Sequence, residues 1–108
     1  TAYAADSLED AIDLLKRQCN GQLGLFVPTD LLTTSIYPLL ARHGIRPGVD
    51  LQIISCDNEE VRLSSLHPRP RSIDLSAENI GRAAVGQLIS RFTTPDAPIV
   101  RVQVSPKL

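Results

Sequence analysis

LGLFVPTDLLTTSIYPLLARHGIRPGVDLQIISCDN, residues 23–58, carries the pattern on which the fold turns. Leu23 to Val27 is an apolar run too short for a helix and bounded by chain breakers, which predicts a buried strand. Pro28-Thr29-Asp30 then turns the chain, and Asp30 is expected to accept from the free amide hydrogens that open the next helix. That helix is predicted over Leu31 to His43, with Ile36, Leu39, Leu40 and His43 on its inner face. Gly44 suits the left-handed position that ends a helix, and Pro47 prevents resumption. Pro38 is a misfit, since it deletes the bond to the Thr34 carbonyl and should kink the axis at a cost of about 3 kcal/mol. Leu51 to Ser55 is the second strand, and two strands joined by one helix call for a parallel pair with a right-handed crossover.

The flanks extend the alternation. Upstream, Ser7 followed by Asp10 is an acidic variant of the capping box, and Leu8, Ala11, Ile12, Leu15 and Cys19 recur at helical spacing. A first helix is expected from about Leu8 to Gln18, with Asn20-Gly21 as its stop. Downstream, Asn58 to Leu66 has room for one helical turn. His67-Pro68-Arg69-Pro70-Arg71 must be extended, because each proline pushes the residue before it out of the helical region. This strap leads to a third strand over Ser72 to Leu75. Ser76 is expected to cap a helix with Ile80, Ala83, Ala84, Leu88, Ile89 and Phe92 on one face. Ile99 to Val104 alternates and is expected to be a last, edge or half-exposed strand. The fold class is therefore α/β, a mostly parallel sheet with flanking helices.

Composition removes several functions. At 108 residues and 43% apolar with 21% charged, the chain is an ordinary globular domain in length and composition. Eleven basic against twelve acidic residues leave a formal charge of −1, with no basic field for a nucleic-acid backbone. No apolar run approaches the roughly 20 residues needed to cross a bilayer, so no membrane partner is expected and the location is expected to be cytoplasmic. A chain that opens on Thr1 and holds no Met is expected to be processed or part of something longer. Cys19 and Cys56 lack the spacing of a zinc site or redox pair and are read as small reduced apolar groups.

In open parallel sheets, ligands sit beyond the carboxyl ends of the strands. The residues there are Pro28-Thr29-Asp30, Cys56-Asp57-Asn58-Glu59 and Ser76-Ala77-Glu78. Asp30 and Asp57 follow strands that should be neighbours, about 4.8 Å apart, so the two carboxylates can face one cleft. With Thr29 and Asn58 they form a mouth rich in acceptors, suited to sugar hydroxyls or a cationic amine and badly suited to phosphate. Against this stands a plainer assignment, with Asp30 only a helix cap and Asp57 only a turn former. No nucleophile motif, phosphate loop or dinucleotide fingerprint is present, and His43 and His67 are too scattered for a metal site. No catalytic residue, metal or cofactor is expected. Arg69 and Arg71 are expected to be solvated or paired with Glu59 or Glu60, and two Tyr and two Phe leave few platforms for stacked bases.

Leu25-Phe26-Val27-Pro28-Thr29-Asp30, Ile53-Ile54-Ser55-Cys56-Asp57-Asn58-Glu59, Pro68-Arg69-Pro70-Arg71-Ser72-Ile73-Asp74 and Ile80-Gly81-Arg82-Ala83-Ala84 together resemble the C-terminal part of LacI/GalR-family transcriptional regulators. The likeness is specific as a series and weak motif by motif. Thr29 stands where that family usually has Asn, Ser55 where it has Gly, and Pro70-Arg71-Ser72 where it has Leu-Thr-Thr. The resemblance implies a type I fold of the periplasmic-binding-protein kind, of which these residues are roughly the last third, with the DNA-binding head absent. It puts Thr29, Asp30 and Asp57 on effector-cleft positions, and Leu75 and Ala77 at the crossover, where both are apolar instead of polar. It further implies a small effector, presumed by chemistry to be a sugar, a homodimer, and operator DNA reached only through an N-terminal head. Helix Ser76 onward is implied to belong to a second lobe, reached through the strap at residues 67–72. Two other readings stay open: an extracytoplasmic sugar-binding protein of the same architecture, and a small α/β hydrolase using Asp30 and Asp57.

Overall fold

The computed structural model describes residues 7–18 and 23–108. Its elements are α1 (Leu8–Gln18), β1 (Leu23–Phe26), α2 (Asp30–Arg42), β2 (Leu51–Cys56), α3 (Glu60–Leu63), β3 (Arg71–Ile73) and α4 (Ala77–Thr93). Among the described residues the three strands form one sheet in the order β1-β2-β3, and both pairings are parallel. The α/β alternation read from residues 23–58 is what the structure shows. The expected stop at Asn20-Gly21 and the place of Cys19 lie outside the described residues.

Local chemistry accounts for the element ends. Ser7 opens α1 as the capping box predicts: its Oγ accepts from Asp10 N–H at 3.1 Å and donates to the Asp10 carboxylate at 2.7 Å. Helix α2 runs through Pro38 and ends at His43, and Gly44 follows at φ 71°, the left-handed turn that a Cβ would disfavour. Arg46 and Asp50 then lock the link to β2 with a forked pair at 3.0 and 2.9 Å.

One face of the sheet is closed. Leu51 and Ile53 of β2 point into a core with Val27, with Ile36 and Leu40 of α2, and with Ile12 of α1 and Ile45. The other face is bare: Phe26 is 60% exposed, and its register partner Ile54 is 37% exposed. The strict alternation of burial along β2 records this half-covered state.

Three expectations fail. Ile99 to Val104 is not a strand, because a strand needs a partner edge and this segment is drawn along α4, with Val102 and Val104 lining a shallow hollow beside Ile80, Ala83 and Ala84. The tail meets the sheet region at an isolated antiparallel bridge between Lys107 and Asp74. Strand β3 begins and ends earlier than Ser72 to Leu75, since the Asp74 carboxylate takes the Ser76 N–H at 2.7 Å and turns the chain there. Ser76 precedes α4 with φ 55° and no side-chain cap bond, so it does not cap the helix as expected. No residue of α4 is buried.

Candidate functional site

Parallel pairing brings the carboxyl ends of β1, β2 and β3 to one rim. Thr29, Asp30, Asp57 and Asn58 all lie on it, because each follows a strand end by one to four positions. Thr29, not Asp30, is the cap of α2: its Oγ1 accepts from Leu32 N–H at 3.1 Å.

Asp30 is redirected because it sits in the first turn of α2, facing the next strand loops. It is fully buried. One carboxylate oxygen accepts from Glu59 N–H at 2.7 Å, and the other from Ser72 Oγ–H at 2.8 Å. Ser72 Oγ in turn accepts from Asn58 N–H at 3.0 Å. The negative charge is further favoured by the amino end of α2. The expected open pair of carboxylates is thus replaced by one inner and one outer acid: Asp30 has both oxygens engaged by protein donors, so it supports the rim from behind.

Behind Asp30 lies a second buried contact. Thr33 Oγ1 donates to the Thr29 carbonyl at 2.9 Å, so the 2.7 Å contact between Thr33 Oγ1 and Ser55 Oγ uses the serine proton. No buried side-chain polar atom among the described residues lacks a partner.

Asp57 and Asn58 form the outer layer. Asp57 N–H donates to the Ile73 carbonyl at 2.9 Å, which ties the loop to β3. Both residues have positive φ, 105° for Asp57 and 55° for Asn58, a conformation that side-chain-bearing residues adopt at a cost of about 1–3 kcal/mol when strained. The side chains hydrogen-bonded along the rim are those of Thr29, Asp30, Thr33, Ser55 and Ser72. Among the described residues the Asp57 carboxylate and the Asn58 amide are not among them. Asp57 is half-buried and Asn58 exposed, on a loop held at positive φ.

Leu75 and Ala77 lie where β3 leads into α4, Leu75 being 38% exposed and Ala77 exposed. Sequence reasoning did not single out Ser72 and Ser55 as working residues. The available signal was one serine near the end of β2 and another inside β3; they are direct register partners.

Away from the rim, Arg69 grips Glu60 with two bonds of 2.8 and 2.7 Å, the pairing expected of it, and this holds the Glu60 carboxyl below its usual range. Tyr37 donates to the Pro68 carbonyl at 2.7 Å, and partial burial pushes its phenol up to about 12. Both contacts fix the strap against α2 and α3. Among the described residues no cluster of His, Cys, Asp and Glu could hold a metal, and no helix is long and apolar enough to cross a membrane.

A family model described as a periplasmic binding protein-like domain matches residues 1–108. The chain belongs to that family. Two solved structures share the fold. A transcriptional regulator, CelR, solved as its cellobiose complex, is 17% identical with a TM-score of 0.75, over 98% of this chain and 33% of that one. A periplasmic binding protein/LacI transcriptional regulator from Alkaliphilus metalliredigens QYMF, complexed with D-xylulofuranose, is 20% identical with a TM-score of 0.63, over 90% of this chain and 33% of that one. This periplasmic binding protein-like chain therefore spans about a third of each solved chain it matches. No curated protein matches it.

Proposed function

We propose that this chain is the C-terminal portion of the effector-binding domain of a LacI-type transcriptional regulator, and that its effector is a sugar. The observation that carries the reading is the rim itself: a carboxylate and an amide with no protein partner among the described residues, at the carboxyl ends of parallel strands. Hydroxyl-rich ligands match such acceptors. The two solved neighbours with this fold were captured with cellobiose and D-xylulofuranose, which supports the ligand class.

The direct contacts assigned are Asp57, Asn58 and the rim edge at Thr29, with Leu75 and Ala77 bordering the ligand from the crossover. The protein is read as a sensor and not an enzyme because its family and its two solved neighbours are binding proteins or regulators. Helix α4 and the tail belong to a second lobe contributed by the remainder of the protein, which explains why none of α4 is buried here. Sugar binding selects one angle between the lobes, and only a difference in affinity between the two angles can alter DNA binding. The intact regulator is cytoplasmic and a homodimer, and it reaches operator DNA through an N-terminal head outside these residues.

The family is that of periplasmic binding protein-like domains and the second neighbour is a periplasmic binding protein/LacI transcriptional regulator, so an extracytoplasmic sugar-binding protein is the alternative. The upstream coding sequence separates them: a helix-turn-helix supports the regulator and a secretory leader the alternative. A thermal-shift screen of the intact protein against mono- and disaccharides tests the ligand class. A rise in melting temperature with at least one sugar is expected, and no shift with any member of the panel contradicts the reading.

A further inference from the structure

We infer that Asp30, fully buried, and Ser72, half-buried, form a positioning pair that holds the Asp57-Asn58 loop in its ligand-facing shape, a role that rests on the proposed sugar rim. The two elements they bridge are far apart in sequence, α2 and β3, and the loop between β2 and α3 is gripped by both. Asn58 N–H donates to Ser72 Oγ, Ser72 Oγ–H donates to Asp30, and Glu59 N–H donates to the other Asp30 oxygen. Two donors, the Glu59 amide and the Ser72 hydroxyl, thus converge on one inaccessible carboxylate, and the Asn58 amide reaches it through Ser72. Proton direction is fixed along the whole chain, because the carboxylate can only accept and both amides can only donate.

The consequence is geometric. Pulling the amides of residues 58 and 59 inward forces the backbone of Asp57 and Asn58 to positive φ, 105° and 55°. It also leaves the Asp57 carboxylate outside the network. Without the inward pull the loop can relax to negative φ, which all residues except glycine prefer. Asp30 and Ser72 then touch no ligand, yet set where the touching group stands. Ser72 also lies two positions before Asp74, whose carboxylate and backbone turn the chain into the crossover and receive Lys107. The same hydroxyl therefore joins the ligand loop to the strand that leaves for α4.

The experiment uses the intact protein with Ser72→Ala, Ser72→Thr, Asp57→Ala and the double variant Ser72→Ala/Asp57→Ala. Amide hydrogen exchange at Asn58 and Glu59 needs no ligand. In Ser72→Ala it should speed up at least about tenfold, with Leu51 to Ser55 unchanged, while Ser72→Thr, which keeps the hydroxyl, stays near wild type. Unchanged exchange at Asn58 in Ser72→Ala overturns the inference. Should Ser72→Ala fold poorly, Asp30→Asn serves instead: it leaves one of the two donors without an acceptor, and faster exchange at Asn58 or Glu59 is expected. Titration with cellobiose and with D-xylulose supplies the second arm. Ser72→Ala should weaken the sugar that binds by about tenfold, and should add nothing further in the Asp57→Ala background, because it acts through Asp57. Equal weakening in both backgrounds, or none in either, overturns the positioning role. Sugar binding by wild type that survives Asp57→Ala untouched contradicts the rim reading instead, and leaves the exchange result to stand or fall alone.

Discussion

The rim of the sheet and the α4 arm end in opposite states. At the rim, Asp30, Thr33 and Ser55 are fully buried and every one is hydrogen-bonded to a partner from a different turn or strand. Along α4 and the tail, Phe92 is 77% exposed and Ile99 is 90% exposed. A closed polar network thus stands beside an uncovered apolar face. The rim is closed by chain segments within residues 29–72, whereas α4, with no buried residue, keeps its own hydrogen bonds and gains little from burial.

Substitutions on the two sides should separate accordingly. The largest effect belongs to the core under the sheet: Leu40→Ala, at a position with no exposure, should cost about 2–5 kcal/mol in urea unfolding. Asp30→Ala comes next, at about 1–3 kcal/mol, because Glu59 N–H and Ser72 lose their acceptor in a buried place. Asp57→Gly should run the other way, stabilising the fold by about 1 kcal/mol by relieving the positive φ, while abolishing the proposed sugar contact. Phe92→Ser should change the stability of these 108 residues by no more than about 0.5 kcal/mol, and should cost more in the intact protein if a second lobe covers α4. A large loss from Phe92→Ser in this chain alone would erase the contrast.

The strap adds a pH test. Burial raises the Tyr37 phenol to about 12 from an ordinary value of 10.0. The unfolded chain therefore loses this proton first, so the stabilisation is complete below pH 10 and is lost as pH rises from 10 through about 12. Tyr37→Phe should flatten that part of the stability curve; an unaltered slope would detach the strap from Tyr37.

Much of the fold was legible because β1, α2 and β2 satisfy several local rules at once. An apolar run too short for a helix, a left-handed Gly44 and a second apolar run leave little choice. The Ser7–Asp10 box and the short turn at Glu60–Leu63 were legible for the same reason. Ile99 to Val104 was not, since its alternation reflects an extended segment lying over a helix, and periodicity alone does not reveal what the alternate side chains face. The site was half legible. Strand order placed Asp30 and Asp57 at one rim, but the burial of Asp30 depends on Ser72, which is brought near only by the strap and by β3. Likewise Asp30 carries the residue type of a cap, yet the cap is Thr29, one position earlier, because the carboxylate is drawn toward Glu59 and Ser72.

In the proposed function the outer acid meets the ligand and the inner acid does not. A crystal structure of the intact protein with the sugar that gives the largest thermal shift tests this directly. The account predicts a sugar hydroxyl within hydrogen-bond distance of the Asp57 carboxylate, with Asp30 still held by Glu59 and Ser72. A sugar bonded to Asp30, or seated away from the carboxyl ends of β1 and β2, would contradict it.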